Sequence, residues 1–436
     1  MKVLVVGSGG REHALAWSLK RSPKVSEILV APGNAGTATC GENLAVGTDD
    51  IPALVQVATE RRVDLVVVGP EAPLAAGLVD ALKEVGIPAF GPSRAAAQIE
   101  ASKAFAKDFM RENGIPTAEY AVFEDYRDAK RYLDEHPAPI VIKASGLAAG
   151  KGAIVCQTDR EAQEALQMIM VEQKFGSAGD QVVIEECLHG QEVSVLAFTD
   201  GYTVTPMVLS QDHKPAYDGD RGPNTGGMGC YAPAPVLSPQ MLARVQNEVL
   251  QAAVDGLRRR GTPYVGVLYA GLMVAGDQFR VLEFNCRFGD PETQVILPLL
   301  ETDLVEVIWA CLDGSLSDVE LEWRDAFCVC VVMASGGYPG SYQKGFPIEG
   351  LDRVATLSNV VVFHAGTALK DGQVVTNGGR VLGVTAWAPT LREAVDRSYQ
   401  AVSMIDWPGV MYRRDIAAKG LMRPGNQYTD KEGADG

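Results

Sequence analysis

Val281-Leu-Glu-Phe-Asn-Cys-Arg-Phe-Gly-Asp-Pro-Glu292 is the most informative segment of the chain. Alternate residues of a strand share a face. Glu283, Asn285 and Arg287 therefore fall on one side, and Leu282, Phe284 and Cys286 on the other. The apolar side is a core face. The polar side aligns two oxygen ligands and a cation. Hard oxygen donors suit Mg²⁺, which keeps several waters and is held by few protein groups plus substrate phosphates. Arg287 could grip a carboxylate or phosphate through two parallel bonds. Read alone, the row is equally an edge strand with a solvated polar face. The abrupt Arg-Phe-Gly-Asp-Pro-Glu turn directly after it weighs against that.

Three further segments carry chemistry. In Ile140-Val-Ile-Lys-Ala-Ser-Gly-Leu-Ala-Ala-Gly-Lys-Gly152, a β-branched strand delivers Lys143 into a glycine-rich loop. Loop amides and lysines are what a polyphosphate needs. Gly146, Gly150, Lys151 and Gly152 thus become candidate nucleotide contacts, on a flap or on a plain hairpin turn. It is not a Walker loop, because Ser145 and Gly152 stand where Gly and Ser/Thr are required. In Glu185-Glu-Cys-Leu-His-Gly-Gln-Glu192, strand-end backbone groups could pair with an adenine edge, and Glu192 could accept from ribose hydroxyls. Residues 210–229 show neither strand nor helix period. A loop of that length is functional or disordered. Its charges of both signs and Asn224-Thr-Gly-Gly favour substrate contact.

Residues 1–92 read as strand–loop–helix units. The continuous apolar runs Lys2–Val6, Glu27–Val30 and Asp64–Val68 imply a parallel sheet covered on both faces. Ligands bind beyond the C-terminal strand ends of such sheets. Gly7-Ser-Gly-Gly-Arg-Glu12 fits a dinucleotide fingerprint poorly: position 12 is Glu rather than Gly, and the second strand ends near Asn34 rather than an acid. An anion at the following helix N-terminus remains reasonable. A helix is expected over 94–113, strands over 193–198, 204–210, 267–274 and 279–285, and a helix over 238–259.

The 436 residues predict about three domains. Hydrophobic residues at 47% and charged residues at 22% exclude a largely disordered or fibrous chain. The net charge of −16 argues against nonspecific nucleic-acid binding, which relies on Lys and Arg. Even so, a local basic cleft is expected from Lys103, Lys143, Lys151, Lys214 and Arg287. The eight cysteines lack CxxC or zinc spacing and read as thiols of a reducing compartment. No apolar run of ~18 residues suggests a membrane span, and no signal peptide is evident. The expectation is a soluble, cytoplasmic protein with no membrane partner.

Taken together, Phe284-Asn-Cys-Arg-Phe-Gly-Asp-Pro-Glu-Thr-Gln294, Gly7-Ser-Gly-Gly-Arg-Glu-His13, Pro32-Gly-Asn-Ala-Gly-Thr37 and Gly222-Pro-Asn-Thr-Gly-Gly-Met-Gly229 resemble the ATP-grasp ligases, specifically the branch that joins glycine to 5-phosphoribosylamine in purine synthesis. The match spans about residues 1–422. It implies an α/β chain: an N-terminal doubly wound parallel-sheet (Rossmann-like) domain over 1–100, an ATP-grasp domain over 101–325 with a small lid subdomain near 117–190, and a C-terminal α/β domain over 326–424; the polar, Gly-rich composition of 425–436 reads as a disordered tail.

The resemblance implies ATP and Mg²⁺ (or Mn²⁺) as cofactors and a glycyl phosphate intermediate. Glu283 and Asn285 would hold the metal. Lys103, Lys143, Gly146, Gly150, Lys151, Gly152, Glu185, Glu186, Leu188, Glu192 and Phe284 would hold the nucleotide. Arg287, Lys143 and Asp290 would act in catalysis. Gly9, Gly10, Asn34, Glu71, Asp212, Lys214, Asn224, Thr225, Gly226, Met228, Arg287, Gly289, Asp290 and Glu292 would hold glycine and the amino sugar. The partners are then small molecules only, and a monomer is expected. Another carboxylate–amine ligase, a biotin-dependent carboxylase, a silent nucleotide-binding regulator and a dehydrogenase are the competing readings.

Overall fold

The computed structural model describes residues 1–148 and 151–422; Gly150 and the tail over 425–436 lie outside the described residues. Five strands form the N-terminal sheet in the order Glu42–Asn43, Glu27–Pro32, Lys2–Gly7, Leu65–Val68, Ala89–Phe90. Every pairing is parallel. Val3, Val5 and Val6 are fully buried, as unbroken apolar runs require when helices cover both faces. Strand order reverses between Lys2–Gly7 and Leu65–Val68, which is where such sheets open a binding crevice.

Here a side chain fills that crevice. Glu12, 2% exposed, accepts from the Gly9 N–H at 2.6 Å and from Arg11 Nε at 2.5 Å. A Cβ at Gly69 would stand 2.1 Å from Glu12 Oε1, so glycine is required there. The residue that spoils the dinucleotide fingerprint thus occupies the space a pyrophosphate would need.

The lid is a four-stranded antiparallel sheet in the order Tyr120–Phe123, Val182–Glu186, Ile140–Ala144, Ala153–Cys156. Helices Tyr126–Glu135 and Asp159–Leu166 cover it around a small core of its own, including Leu133, Ile142, Leu166 and Ile184. A second antiparallel sheet, Val204–Pro206, Gln191–Asp200, Val265–Ala275, Gln278–Asn285, faces it. Thr117, just before the lid's first strand, bridges to Val281 of this second sheet.

Four expectations are corrected. The helix expected over 94–113 breaks into Gln98–Ala101 and Lys103–Glu112, because Ser102 is extended and its hydroxyl caps Phe105 N at 3.2 Å. The strand expected over 204–210 is only Val204–Pro206. Residues 210–229 are not a structureless loop. They form Gln211–Asp212 and the hairpin Pro215–Tyr217/Arg221–Asn224, pinned by buried Arg413, which donates to Pro215 O at 3.1 Å and Asp220 at 3.0 Å. Finally, Gln211–Asp212 and Gly229–Ala232 join the C-terminal sheet, through the pairing of Gly229–Ala232 with Phe327–Ser335. That sheet therefore recruits strands from before residue 326.

Candidate active site

A cavity of about 280 Å³ opens between the two antiparallel sheets and reaches the N-terminal domain at Glu71 and Glu100. Strand Gln278–Asn285 supplies one wall. Gly271 pairs with Glu283 and Leu272 with Val281, so Leu282 is the extra residue of a bulge. The bulge breaks the simple alternation. Leu282 and Phe284 line the cavity together with Glu283 and Asn285, although Phe284 is otherwise buried in the core. Leu282 O accepts from Lys143 Nζ at 3.1 Å, which ties the lid strand to this wall. Leu147, Ala148 and Gly152 of the glycine-rich loop line the same cavity as Glu283.

Glu283 forms no ion pair with a described residue. Burial works against its charge, but the field of Lys214, Lys143, Lys103 and Arg287 outweighs it and holds the carboxyl below its ordinary value. Asn285 Oδ1 accepts from Arg287 Nη2 at 3.4 Å. These are hard oxygen donors with capacity to spare, the kind of pair that Mg²⁺ or Mn²⁺ accepts when phosphates and waters complete its shell.

At the end nearest the lid sheet, Glu185 is ion-paired with both Lys143 and Lys107. Burial opposes its ionisation, yet the two lysines keep its carboxyl below the usual range. Burial lowers Lys107 to about 8 against the pull of Glu185. Lys103 donates to Gly146 O at 3.0 Å. Leu188 and Glu186 also line this end, but the Glu186 carboxylate is turned to Arg280 at 2.5 Å.

At the opposite end, Arg287 donates to Glu71 at 3.2 Å and to Glu100 at 3.0 Å. Glu292 accepts from Tyr269 OH at 2.7 Å and Ser194 Oγ at 3.1 Å. Lys214 pairs with Glu192 at 3.0 Å. Asp290 accepts from Gln294 at 2.8 Å and from Arg11 N at 3.3 Å, and it pairs with Arg380. Asn224, Thr225 and Gly226 complete this end.

The expected basic cleft is not what forms. Among the described residues nine carboxylates but only five cationic side chains line the cavity, and the lysines and Arg287 mostly face acids. A polyphosphate entering such a space needs additional positive charge, which a divalent ion at Glu283 and Asn285 would provide.

Seven expected contacts do not line the cavity. All four polar positions of the Asn34 amide are used: Nδ2 donates to Ser8 O and His364 O, both at 2.8 Å, and Oδ1 accepts from Gly36 N and Thr37 N. Gly9 and Gly10 are packed against Glu12 and Gln294. Met228 is fully buried beside Ala334 and Tyr338. Gly289 closes its turn, accepting from Thr293. Gly146 lies against Ala178. Lys151 reaches Pro339 O of the C-terminal domain, 3.5 Å away.

The sequence reading missed Glu100, Lys107 and Arg380. Lys107 did carry a signal, since it follows Lys103 by four on one helix and so shares its face.

Asp212 lines the cavity with an unusually basic carboxyl. Burial raises it, Lys214 opposes, and Glu292 and Glu192 raise it further, to about 7. A folded-state value above the unfolded one makes its stabilising contribution greatest in acid and progressively lost as pH rises through about 7. Asp212→Asn removes that loss. Denaturant melts of the ligand-free protein at pH 5 and pH 8 should therefore show the variant gaining on the parent as pH rises.

A lid sheet facing an acid- and amide-bearing strand across a nucleotide-sized cavity, with a parallel-sheet domain at its mouth, defines an ATP-grasp ligase. Sequence comparison agrees in detail. Residues 1–100, 101–293 and 328–419 match the N, ATP-grasp (A) and C domains of phosphoribosylglycinamide synthetase. The phosphoribosylamine–glycine ligase of a Nostoc species is 54% identical over 95% of this chain and 99% of its own length. The trifunctional purine biosynthetic protein adenosine-3 of Gallus gallus is 53% identical over 96% of this chain, which spans 42% of that longer protein.

The crystal structure of the Thermotoga maritima phosphoribosylamine–glycine ligase superposes with a TM-score of 0.81 at 34% identity, covering 95% of this chain and 100% of that one. A biotin carboxylase domain from Hydrogenobacter thermophilus shares the fold alone, with a TM-score of 0.74 at 18% identity over 94% of this chain and 91% of that one. The chain belongs to the phosphoribosylamine–glycine ligase family and is a carbon–nitrogen ligase of purine biosynthesis.

Proposed function

We propose that this cavity joins glycine to 5-phosphoribosylamine at the expense of ATP, giving glycinamide ribonucleotide, ADP and phosphate. A glycine carboxylate oxygen takes the γ-phosphoryl group and ADP leaves. The amine nitrogen then attacks the acyl carbon, the bond from that carbon to the phosphate oxygen breaks, and phosphate departs with the electron pair while the amine loses a proton. The observation that carries this reading is the position of Glu283 and Asn285, on the wall between a lysine-bearing end and an end built from Arg287, Glu292 and Asn224.

Phosphoryl transfer asks for positioning and charge neutralisation more than covalent help. Glu283 and Asn285 would hold Mg²⁺ or Mn²⁺, which supplies charge against the phosphate oxygens. Lys143, oriented by Glu185 and Leu282 O, and Lys103, oriented by Gly146 O, present ammonium groups to the same region. Leu188 and Phe284 offer apolar contact to the base. Leu147 and Ala148 line the cavity, where they would help exclude the water that an acyl phosphate cannot tolerate. Arg287, Lys214, Asp212 and Glu292 surround the volume left for the glycine and amine. Glu71, at the N-terminal domain's edge, faces the sugar.

The cavity is complete within one chain, which supports a monomer as the working unit. The eight cysteines are free thiols, which supports a cytoplasmic setting.

ADP release assayed with glycine, with and without fresh phosphoribosylamine, tests the reading. Sustained release is expected only with both substrates, and a chelator should abolish it. Release that needs bicarbonate instead of glycine would overturn the ligase chemistry in favour of a carboxylase.

A further inference from the structure

Two turns, Asn224–Met228 and Gly289–Glu292, contribute to the end of the cavity away from Lys103, Lys107 and Lys143, and one side chain from a different domain holds both. Arg380 begins strand Arg380–Ala388 of the C-terminal sheet. Its Nη1 donates to Gly226 O at 2.6 Å, to Asp290 O at 2.8 Å and, more weakly, to Gly227 O at 3.4 Å, and it pairs with the Asp290 carboxylate at 3.3 Å. The partners lie about 90 and 154 residues away in sequence, so no local preference could bring them together.

The glycines of the first turn are shaped around this contact. A Cβ at Gly226 would stand 2.9 Å from Arg380 Cζ and 3.1 Å from Nη2, so the guanidinium lies flat against the bare backbone there. A Cβ at Gly227 would stand 2.5 Å from Pro291 Cδ of the second turn, and Gly227 has φ +109°. Tyr338, also of the C-terminal domain, receives the Gly226 N–H at 3.2 Å. The backbone of both turns is therefore set from outside the cavity.

We infer that Arg380 is a positioning residue for the ligation. It registers the Asn224–Met228 turn against the Gly289–Glu292 turn, and so fixes Asn224, Thr225, Asp290 and Glu292 where the glycine and amine must meet. Arg380 does not line the cavity, and its hydrogen bonds and ion pair go to Gly226, Gly227 and Asp290, none of them to Lys143, Glu185 or Leu188. One terminal nitrogen, Nη1, reaches carbonyls of both turns at once, while the flat face of the guanidinium lies against the bare Gly226 backbone. The C-terminal domain then acts on chemistry that its own side chains do not touch.

This inference rests on the ligase reading above, and the parent protein serves as the control that separates the two. Arg380→Met is expected to lower kcat/KM for phosphoribosylamine and glycine about 100-fold, the scale set by an ångström-level misplacement of reacting groups. The KM for ATP should stay within about twofold, since the nucleotide end is untouched.

Two further measurements keep loss of fold from imitating the result. Added guanidinium ion should partly restore Arg380→Ala, and Gly226→Ala should show the same selective loss because its Cβ displaces the guanidinium. If the parent releases ADP with glycine and Arg380→Met matches it, the inference is overturned. It is also overturned if the KM for ATP rises in step with the others, or if guanidinium ion restores nothing. If the parent itself lacks glycine-dependent release, it is the ligase reading that fails.

Discussion

Glu283→Gln is expected to lower glycine-dependent ADP release by roughly 10²–10³-fold while the protein stays folded. A metal ion that polarises a phosphoryl group is worth several kcal/mol in the transition state, and each 1.4 kcal/mol is about tenfold in rate. The substitution keeps the shape of the side chain and one oxygen, but it removes the charge that draws the ion. Glu283 has no direct ion-pair partner among the described residues, so the substitution breaks no close contact, although it removes the largest acidic influence on Lys103. Melting should therefore shift far less than the rate falls.

The dependence on metal concentration separates this role from a purely electrostatic one. If Glu283 is a ligand, half-saturation by Mg²⁺ moves to higher concentration, and Mn²⁺, which binds the remaining oxygen donors more tightly, recovers part of the rate. A variant with the parent's rate and metal dependence would remove Glu283 from the ligand set. The metal would then have to be held by phosphates and by Asn285 alone.

The parts of this site that were legible in the sequence are those that one element carries by itself. Glu283 and Asn285 lie two apart on a strand, so period-two reading places them together. Lys143 stands at a strand end before a glycine-rich loop, and the structure leaves both where that pattern puts them. Legibility fails where geometry is set from elsewhere. The bulge at Leu282 arises in register with Gly271, eleven residues back across a hairpin, and turns Leu282 O towards Lys143. Glu100 and Arg380 enter through long-range packing.

Asn34 shows the opposite failure. A polar residue at a strand C-terminus in a doubly wound sheet is a reasonable candidate for ligand contact, but its amide is fully used in holding three loops together. The expected basic cleft failed for a related reason. Counting cations along the sequence cannot show that Glu185 and Glu192 will be folded against lysines, and Glu71 and Glu100 against Arg287.

Arg287→Lys should lose about 100-fold in kcat and about 3 kcal/mol of stability, for separable reasons. The parent guanidinium joins three segments: Nε meets Glu71 at the start of helix Glu71–Ala76, Nη2 meets Glu100, and Nη2 also reaches Asn285. Burial opposes the charge on Glu71, but Arg287 and then Arg11 hold its carboxyl down to about 2. Burial dominates at Glu100 and pushes its carboxyl up even with Arg287 in contact.

A lysine ammonium is a point charge without the planar fork, and cannot hold both acids and Asn285 in the parent geometry. Glu100, 8% exposed, is the one that suffers most from being left unpaired. Breaking a buried pair from one side costs roughly 3–5 kcal/mol, and the partial exposure of Arg287 and Glu71, 17% and 25%, places this case at the low end. The rate falls because Asn285 loses the donor that orients it beside Glu283.

Adding Glu100→Gln to Arg287→Lys distinguishes the two effects. Neutralising the stranded acid should return most of the stability, measured by denaturant melts, while kcat remains low. Were the rate to recover along with the melt, Arg287 would act through the integrity of the domain junction alone. An unchanged kcat in the single variant would likewise confine it to a structural part.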